Sequence, residues 1–206
     1  MNNLKTELNS KLSSKLSTEV KAILITYPFA QLLASSNNHD EFSALVYCPI
    51  QLLENSTLLG HLPNNNPLIK AISVNPKVKV IFTGPHGYIS PRWHSEQLVP
   101  TWNYATVTLT CRVNSIDNTE DKLKAMEKMS HHFDPQWDFS EFNNVNNAKM
   151  VQQMLSAITV FTLDVIGVNS KFKLSQNRSA ACRSAFQQNL IATGHVDLGK
   201  IQQASQ

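Results

Sequence analysis

Cysteine is scarce in this chain. Cys48, Cys111 and Cys182 are the only three in 206 residues, and they lie far apart. An odd, dispersed set builds neither a disulfide framework nor a zinc site, and it reads as reduced thiols of a cytosolic protein. Cys48 and Cys111 sit in strand-like runs and are expected as small core residues. Charge is sparse too. Asp, Glu, Lys and Arg make up 16% of the chain, the formal net charge is +3, and the basic residues are scattered along the sequence. No basic stripe marks a strong nucleic-acid footprint. No run approaches the ~18 apolar residues of a membrane-crossing helix. Met1 to Val20 carries lysines but no apolar core or cleavage pattern of a signal peptide. A cytoplasmic protein without a membrane partner is expected. The sequence also lacks internal repeats, a glycine-rich phosphate loop, a Ser-His-Asp order and a metal-ligand spacing. His131-His132 with Asp134 reads as a solvated helix end, so neither a metal site nor a catalytic set is assigned.

What is present centres on Val78 to Tyr104. A short apolar run (Val78, Val80, Ile81, Phe82) meets Gly84-Pro85-His86-Gly87, which is expected as a tight turn. Pro91 and Pro100 keep helix out of the remainder, because proline fixes φ and lacks a donor. Tyr88, Ile89, Trp93, Trp102 and Tyr104 crowd the same stretch, and two of the three tryptophans fall here. Rings need somewhere to be buried, so the stretch is ordered. It reads either as a strand, a turn and a second strand of a barrel, or as the wall of a pocket for a flat polar ligand.

The length suits one large domain, or one domain with a small appendage. Leu4, Leu8, Leu12 and Leu16 suggest an amphipathic helix over Met1–Thr18, a separate extension at residues 1–18. Ser17-Thr18-Glu19 starts a helix that Pro28 ends. Strands are expected over Phe29–Ser36 and Phe42–Leu53, with a turn at Asn37–Asp40 between them and another at Asn55-Ser56 before Thr57–Leu62, as an antiparallel meander. Leu68–Ser73 reads as a short helix and Val99–Val113 as one long strand, rich in β-branched and aromatic residues. Helices are expected at Thr119–His132, at Lys149–Ile158 with Met150, Met154, Leu155 and Ile158 apolar, and at Ser179–Ala192. Thr159–Val168 is the last strand. Residues 19–195 then form the main domain and 196–206 a polar tail. About six strands with peripheral helices make a small, mainly β barrel.

His86, in the expected turn, is the histidine best placed to face a cleft. His61 follows a glycine on a strand and suits a structural hydrogen bond. Lys173, Ser175, Gln176, Asn177 and Arg178 put two cations and several hydrogen-bonding groups within six residues. They suit either an anion or a ring edge carrying carbonyls and an N–H, or simply an exposed loop with a helix cap at Ser179.

Several segments then occur in a telling order: Leu59-Gly60-His61-Leu62, Asn66-Pro67, Val80-Ile81-Phe82 with Gly84 to Pro91, Val99-Pro100-Thr101-Trp102-Asn103-Tyr104, and Lys173-Leu174-Ser175-Gln176-Asn177-Arg178. Together they resemble the PaiB-type family, the FMN-binding negative transcriptional regulators of bacteria, over about Tyr27 to Phe186. The resemblance implies a mainly β fold with peripheral helices, a split β-barrel of the FMN-binding, pyridoxamine-phosphate-oxidase-like type. It implies a homodimer, FMN in a groove between subunits, and repression of transcription with DNA as a partner. Lys173, Arg178 and Ser90 are then expected at phosphate or ribityl, with Trp93, Trp102, Asn103, Tyr104 and Gln176 lining the groove. His61, Asn64 and Ser175 complete the cofactor-binding candidates.

The chain departs from the family pattern in three places. Asn64 stands where the family has a basic residue, and losing a charge-assisted contact of roughly 1.5–3 kcal/mol would weaken FMN about tenfold or more. Tyr47-Cys48-Pro49 replaces the usual His-Leu-Pro. Met1–Ser17 lacks the early tyrosine and proline. No helix-turn-helix is visible. Two further readings follow: a flavin-dependent oxidoreductase with a nicotinamide donor, or a barrel that has lost its flavin and serves as an interaction protein.

Overall fold

The structure, a computed structural model, describes residues 16–35, 42–95, 99–144 and 146–204. The expected helix at Met1–Thr18 and the turn at Asn37–Asp40 fall largely or wholly outside the described residues. The chain divides into two compact units. Unit 1 is Met1–Phe82 with Thr108–Val168, and unit 2 is Thr83–Val107 with Asn169–Gln206. The described strands form one seven-stranded sheet in the order β2-β1-β5-β6-β7-β4-β3.

Unit 1 begins with α1 (Thr18–Thr26), whose Ser17 cap accepts a hydrogen bond from the Val20 amide and which buries Val20, Ile23 and Leu24. Apolar residues spaced three and four apart give such a helix one inward stripe. β1 (Phe29–Ser35) then pairs antiparallel with β2 (Phe42–Pro49), Phe29 opposite Pro49. The single strand expected over Phe42–Leu53 is in fact two. Pro49 has no N–H to offer, and the Ile50 amide bonds instead to the Pro28 carbonyl at 2.9 Å. The chain therefore leaves β2 and enters β3 (Gln51–Leu52), which pairs with β4 (Leu58–Pro63). β2 and β3 end up at opposite edges of the sheet, so the early strands are not a simple meander.

Gly60 of β4 is fixed by packing. A Cβ there would lie 2.7 Å from Ile50 Cδ1 and 2.9 Å from Phe161 Cε2. Helix α2 (Pro67–Val74) follows, capped by Asn66, whose side chain accepts from the Leu68 amide. The Gly84–Gly87 stretch is a correction. It does not turn; β5 runs unbroken from Lys77 to Ile89. Its buried positions are even-numbered from Val78 to Gly84 and odd-numbered at Gly87 and Ile89. The period-2 alternation slips by one residue across Pro85-His86, as an extra residue in a bulge makes it do.

β6 (Thr101–Ile116) keeps one face buried throughout, with Asn103, Ala105, Val107, Leu109, Cys111 and Val113 inward. α3 (Thr119–Phe133), the short α4 (Phe139–Phe142) and α5 (Ala148–Ser156) follow. α5 turns Val151 and Leu155 inward and leaves Met150 and Met154 exposed. β7 (Ile158–Lys173) is longer than expected and pairs with β4, Leu58 opposite Leu163.

Unit 2 holds residues 83–89 of β5, a 3-10 turn at Pro91–Trp93, the first part of β6, the last part of β7, and two helices. These are α6 (Ala180–Ala192) and α7 (Val196–Ala204). The stretch read as a polar tail is thus mostly a helix. Leu198 and Gln202 of α7 are buried, and Leu198 joins Ile89, Leu174, Cys182, Phe186 and Leu190 in one apolar cluster. All three cysteines are buried and none forms a disulfide. No described helix is long and apolar enough to cross a membrane.

Candidate functional site

Nine of the eleven residues selected from the sequence lie in unit 2, and His61 and Asn64 lie in unit 1. The unit 2 set is built on two neighbouring side-chain links between β6 and the end of β7. Lys173 Nζ donates to Thr101 Oγ1, and two residues further on Ser175 Oγ donates to Asn103 Oδ1 at 2.9 Å. Asn103 is fully buried, yet its Nδ2 has no partner among the described residues. A buried donor left unpaired costs about 1–3 kcal/mol, so it marks a place where an acceptor is wanted.

The turn after β7 is held by its own side chains. Ser175 sits at φ 61°, a left-handed conformation unusual for a residue with a Cβ. Gln176 Oε1 accepts from the Leu174 amide at 2.9 Å and its Nε2 donates to the Phe172 carbonyl at 2.7 Å. Gln176 is therefore a staple of the turn, with both ends of its amide engaged. The Arg178 amide closes the turn on the Ser175 carbonyl, and Arg183 Nη1 donates to the Arg178 carbonyl at 2.6 Å. The Arg178 guanidinium itself has no partner among the described residues. The turn thus fixes the backbone and leaves the cation available.

Other selected residues have structural roles. Ser90 is buried and its Oγ accepts from the Arg92 amide at 3.2 Å, capping the 3-10 turn. Trp93 packs edge-on against Phe186, 6.4 Å between ring centres, at the margin of the apolar cluster. Strand alternation separates Trp102 and Tyr104 from Asn103. Trp102 is 53% exposed, whereas Asn103 faces the interior. Around Trp102 stand Tyr88, edge-on at 6.2 Å, and His86, tilted at 6.4 Å. His86 Nδ1 lies 3.2 Å from the Gly84 carbonyl.

In unit 1, Asn64 is fully engaged. Its amide N–H donates to Ala157 O, its Nδ2 donates to Ser156 O at 2.7 Å, and its Oδ1 accepts from Thr159 Oγ1 at 2.8 Å. A basic residue there could not accept from Thr159, so Asn64 clamps the start of β7. His61 is half-buried, with its Nδ1 buried and unpartnered, and burial lowers its pKa below the ordinary histidine value. The Cys48 thiol donates to the His61 carbonyl at 3.3 Å, and burial pushes its pKa up to about 11. Cys111 is pushed to about 12, by burial first and by Asp164 second. Neither is a reactive thiolate. His131 lines a separate cavity of about 570 Å³ with Lys128 and Trp137, and no metal-holding group is found among the described residues.

Sequence reasoning missed Thr101, Tyr88 and the imbalance of charge. Unit 2 carries Arg92, Lys171, Lys173, Arg178, Arg183 and Lys200 against Glu96 and Asp197, a net +4. With +3 for the whole chain, unit 1 carries −1. The basic residues look scattered in the sequence because unit 2 is assembled from two distant segments. An unpaired cation and an exposed indole in a net-positive unit suit a ligand that is both anionic and planar.

A family model described as "Putative FMN-binding domain" matches residues 8–166. That match stops short of the Lys173–Arg178 turn. The Bacillus subtilis (strain 168) protein "Protease synthase and sporulation protein PAI 2" is 33% identical over 127 residues, 59% of this chain and 58% of that one. The match thus spans little more than half of that relative's length. Among solved structures, the FAD and heme binding protein from Mycobacterium smegmatis superposes with a TM-score of 0.59 at 16% identity, covering 86% of this chain and 78% of that one. The flavocytochrome Anf3 from Azotobacter vinelandii does so with a TM-score of 0.56 at 18% identity, covering 76% and 67%. At these identities the likeness shows the fold, a split β-barrel with added helices.

Proposed function

The chain belongs to the FMN-binding split-barrel family of the PaiB type, and on that premise we propose that it binds FMN through unit 2. The observation that carries the reading is the paired link Thr101–Lys173 and Asn103–Ser175 beside the unpartnered Arg178 guanidinium. Lys173 and Arg178 hold the phosphate. Trp102 and Tyr104, on the outer face of β6, offer rings, while Asn103 on the inner face ties the turn to the strand through Ser175. FMN, when bound, supplies a redox-active ring; the protein's own part is to bind and orient it. Asn64, Gln176, Ser90 and Trp93 leave the list of contacts and support the scaffold.

The test is a titration with FMN and with riboflavin, which lacks the phosphate. Wild type is expected to prefer FMN by at least about tenfold, since each charge-assisted contact is worth roughly 1.5–3 kcal/mol and ~1.4 kcal/mol is a factor of ten. The K173A/R178A double variant is expected to lose that preference while keeping its thermal transition. Equal affinity of wild type for both compounds removes the phosphate site.

The finer parts of the reading are a homodimer and a regulatory role in the cytoplasm. Phe29 and Tyr47 stack at 5.8 Å while 64% and 56% exposed on neighbouring strands, an apolar surface that suits a second copy. The name of the Bacillus relative ties that protein to protease synthesis and sporulation, and a regulatory role for this chain takes DNA as its partner. Sedimentation of the chain with and without duplex DNA checks both. A species of twice the chain mass is expected alone, and a heavier one with DNA; a monomer, or no shift, removes the corresponding part.

A further inference from the structure

Large rings normally end up covered. Trp102 is 53% exposed and Tyr88 44% exposed, and they lie on adjacent strands of one sheet face. Tyr88 meets Trp102 edge-on, with 70° between the ring planes, and His86 flanks it at 32°. Tyr88 and His86 both pack against the indole, and about half of the Trp102 surface stays exposed. The one-residue slip in β5 is what places His86 and Tyr88 together on the outer side. With the earlier parity kept through the strand, Gly87 and Ile89 would point outward and His86 and Tyr88 inward.

His86 adds direction to this surface. A carbonyl oxygen only accepts, so the ring nitrogen 3.2 Å from the Gly84 carbonyl carries the hydrogen. In the neutral ring Nε2 is then the acceptor. The surface thus offers an indole face and, at its margin, an acceptor for an N–H. Thr101, which receives Lys173, opens β6 one position before Trp102; alternation turns the two side chains to opposite faces, so one ligand reaches both only around the start of the strand. The net +4 of unit 2 matches an anionic occupant.

We propose that Trp102, propped by Tyr88, is the stacking face for the isoalloxazine ring, and that His86 is a positioning residue whose Nε2 accepts from the imide N–H of that ring. This rests on the FMN reading above, and it adds two residues that the sequence did not place at the cofactor. It assigns Trp102, and not Trp93, as the tryptophan at the flavin, because Trp93 is packed on Phe186.

The test uses the full chain with FMN and with FMN methylated at the imide nitrogen, followed by tryptophan emission and by the flavin absorption band. Wild type is expected to bind the methylated compound about tenfold more weakly. H86A is expected to bind both equally, and H86Q, which keeps an acceptor, to restore the difference in part. W102A is expected to lose FMN affinity about tenfold and W102F much less. FMN is expected to quench W93F as it does wild type, and to quench W102F less. Should wild type bind FMN while W102A and H86A match it in affinity and discrimination, the stacking assignment is overturned and the phosphate site stands. Should wild type bind no FMN, both fall. A variant that has lost its thermal transition is replaced by its conservative partner, W102F or H86Q, whose quenching or discrimination then decides.

Discussion

His61 is held in β4 with a buried ring nitrogen that has no partner, and its pKa is lowered by desolvation. The neutral ring is therefore the folded form, while the unfolded chain takes up a proton near the ordinary histidine value of about 6.5. Below that pH the unfolded state binds more protons, so stability falls as pH falls. Urea unfolding at pH 7.5 and at pH 5.5 is expected to show a larger loss for wild type than for H61N; equal losses contradict the assignment. The same residue illustrates what a sequence cannot carry. Gly60-His61-Leu62 is recognisable as a motif, yet its reason is steric, since a Cβ at Gly60 would strike Ile50 and Phe161. Asn64 likewise reads as a missing cation. Its real bonds are to Ser156, Ala157 and Thr159, more than ninety positions away. Gln176 and Trp93 read as groove residues from their chemistry alone, and their turn bonds and core packing are not visible in it.

Elements were more legible than single contacts. Ser17 and Ser179 act as helix caps as their positions suggest, and the long strand after Pro100 is there. Composition misled at Gly84–Gly87, where glycine and proline suggest a turn and the strand continues with a slipped alternation. Gly87 has a different purpose from a turn glycine. A Cβ there would lie 3.0 Å from His195 Cδ2 and from Leu198 Cδ2, so its absence lets α7 seat. That requirement was invisible while residues 196–206 were read as a tail. G87A is expected to lower unfolding free energy by about 1–3 kcal/mol, as overpacking does. G167A, whose Cβ would meet Thr110 at an ordinary 3.5 Å, is expected to change it little. A G87A protein as stable as wild type in urea contradicts the seating of α7.

On the scale of the whole chain, sequence order and spatial grouping diverge. A net charge of +3 spread over 206 residues argues for no particular ligand. Grouped by unit, it becomes +4 beside −1, with the unpaired Arg178, the Thr101–Lys173 link and the exposed Trp102 all in the positive unit. The motifs at Val99–Tyr104 and Lys173–Arg178 were legible as a pair, but their two side-chain links were not, because 72 residues separate the partners. The measurement that bears most directly on a phosphate-anchored flavin is the titration of wild-type protein with FMN at low and at high salt. One saturating site per chain, weakening as salt rises because exposed ion pairs are screened, is the result this account expects. Absence of saturable binding, or an affinity that neither salt nor removal of the phosphate alters, contradicts it.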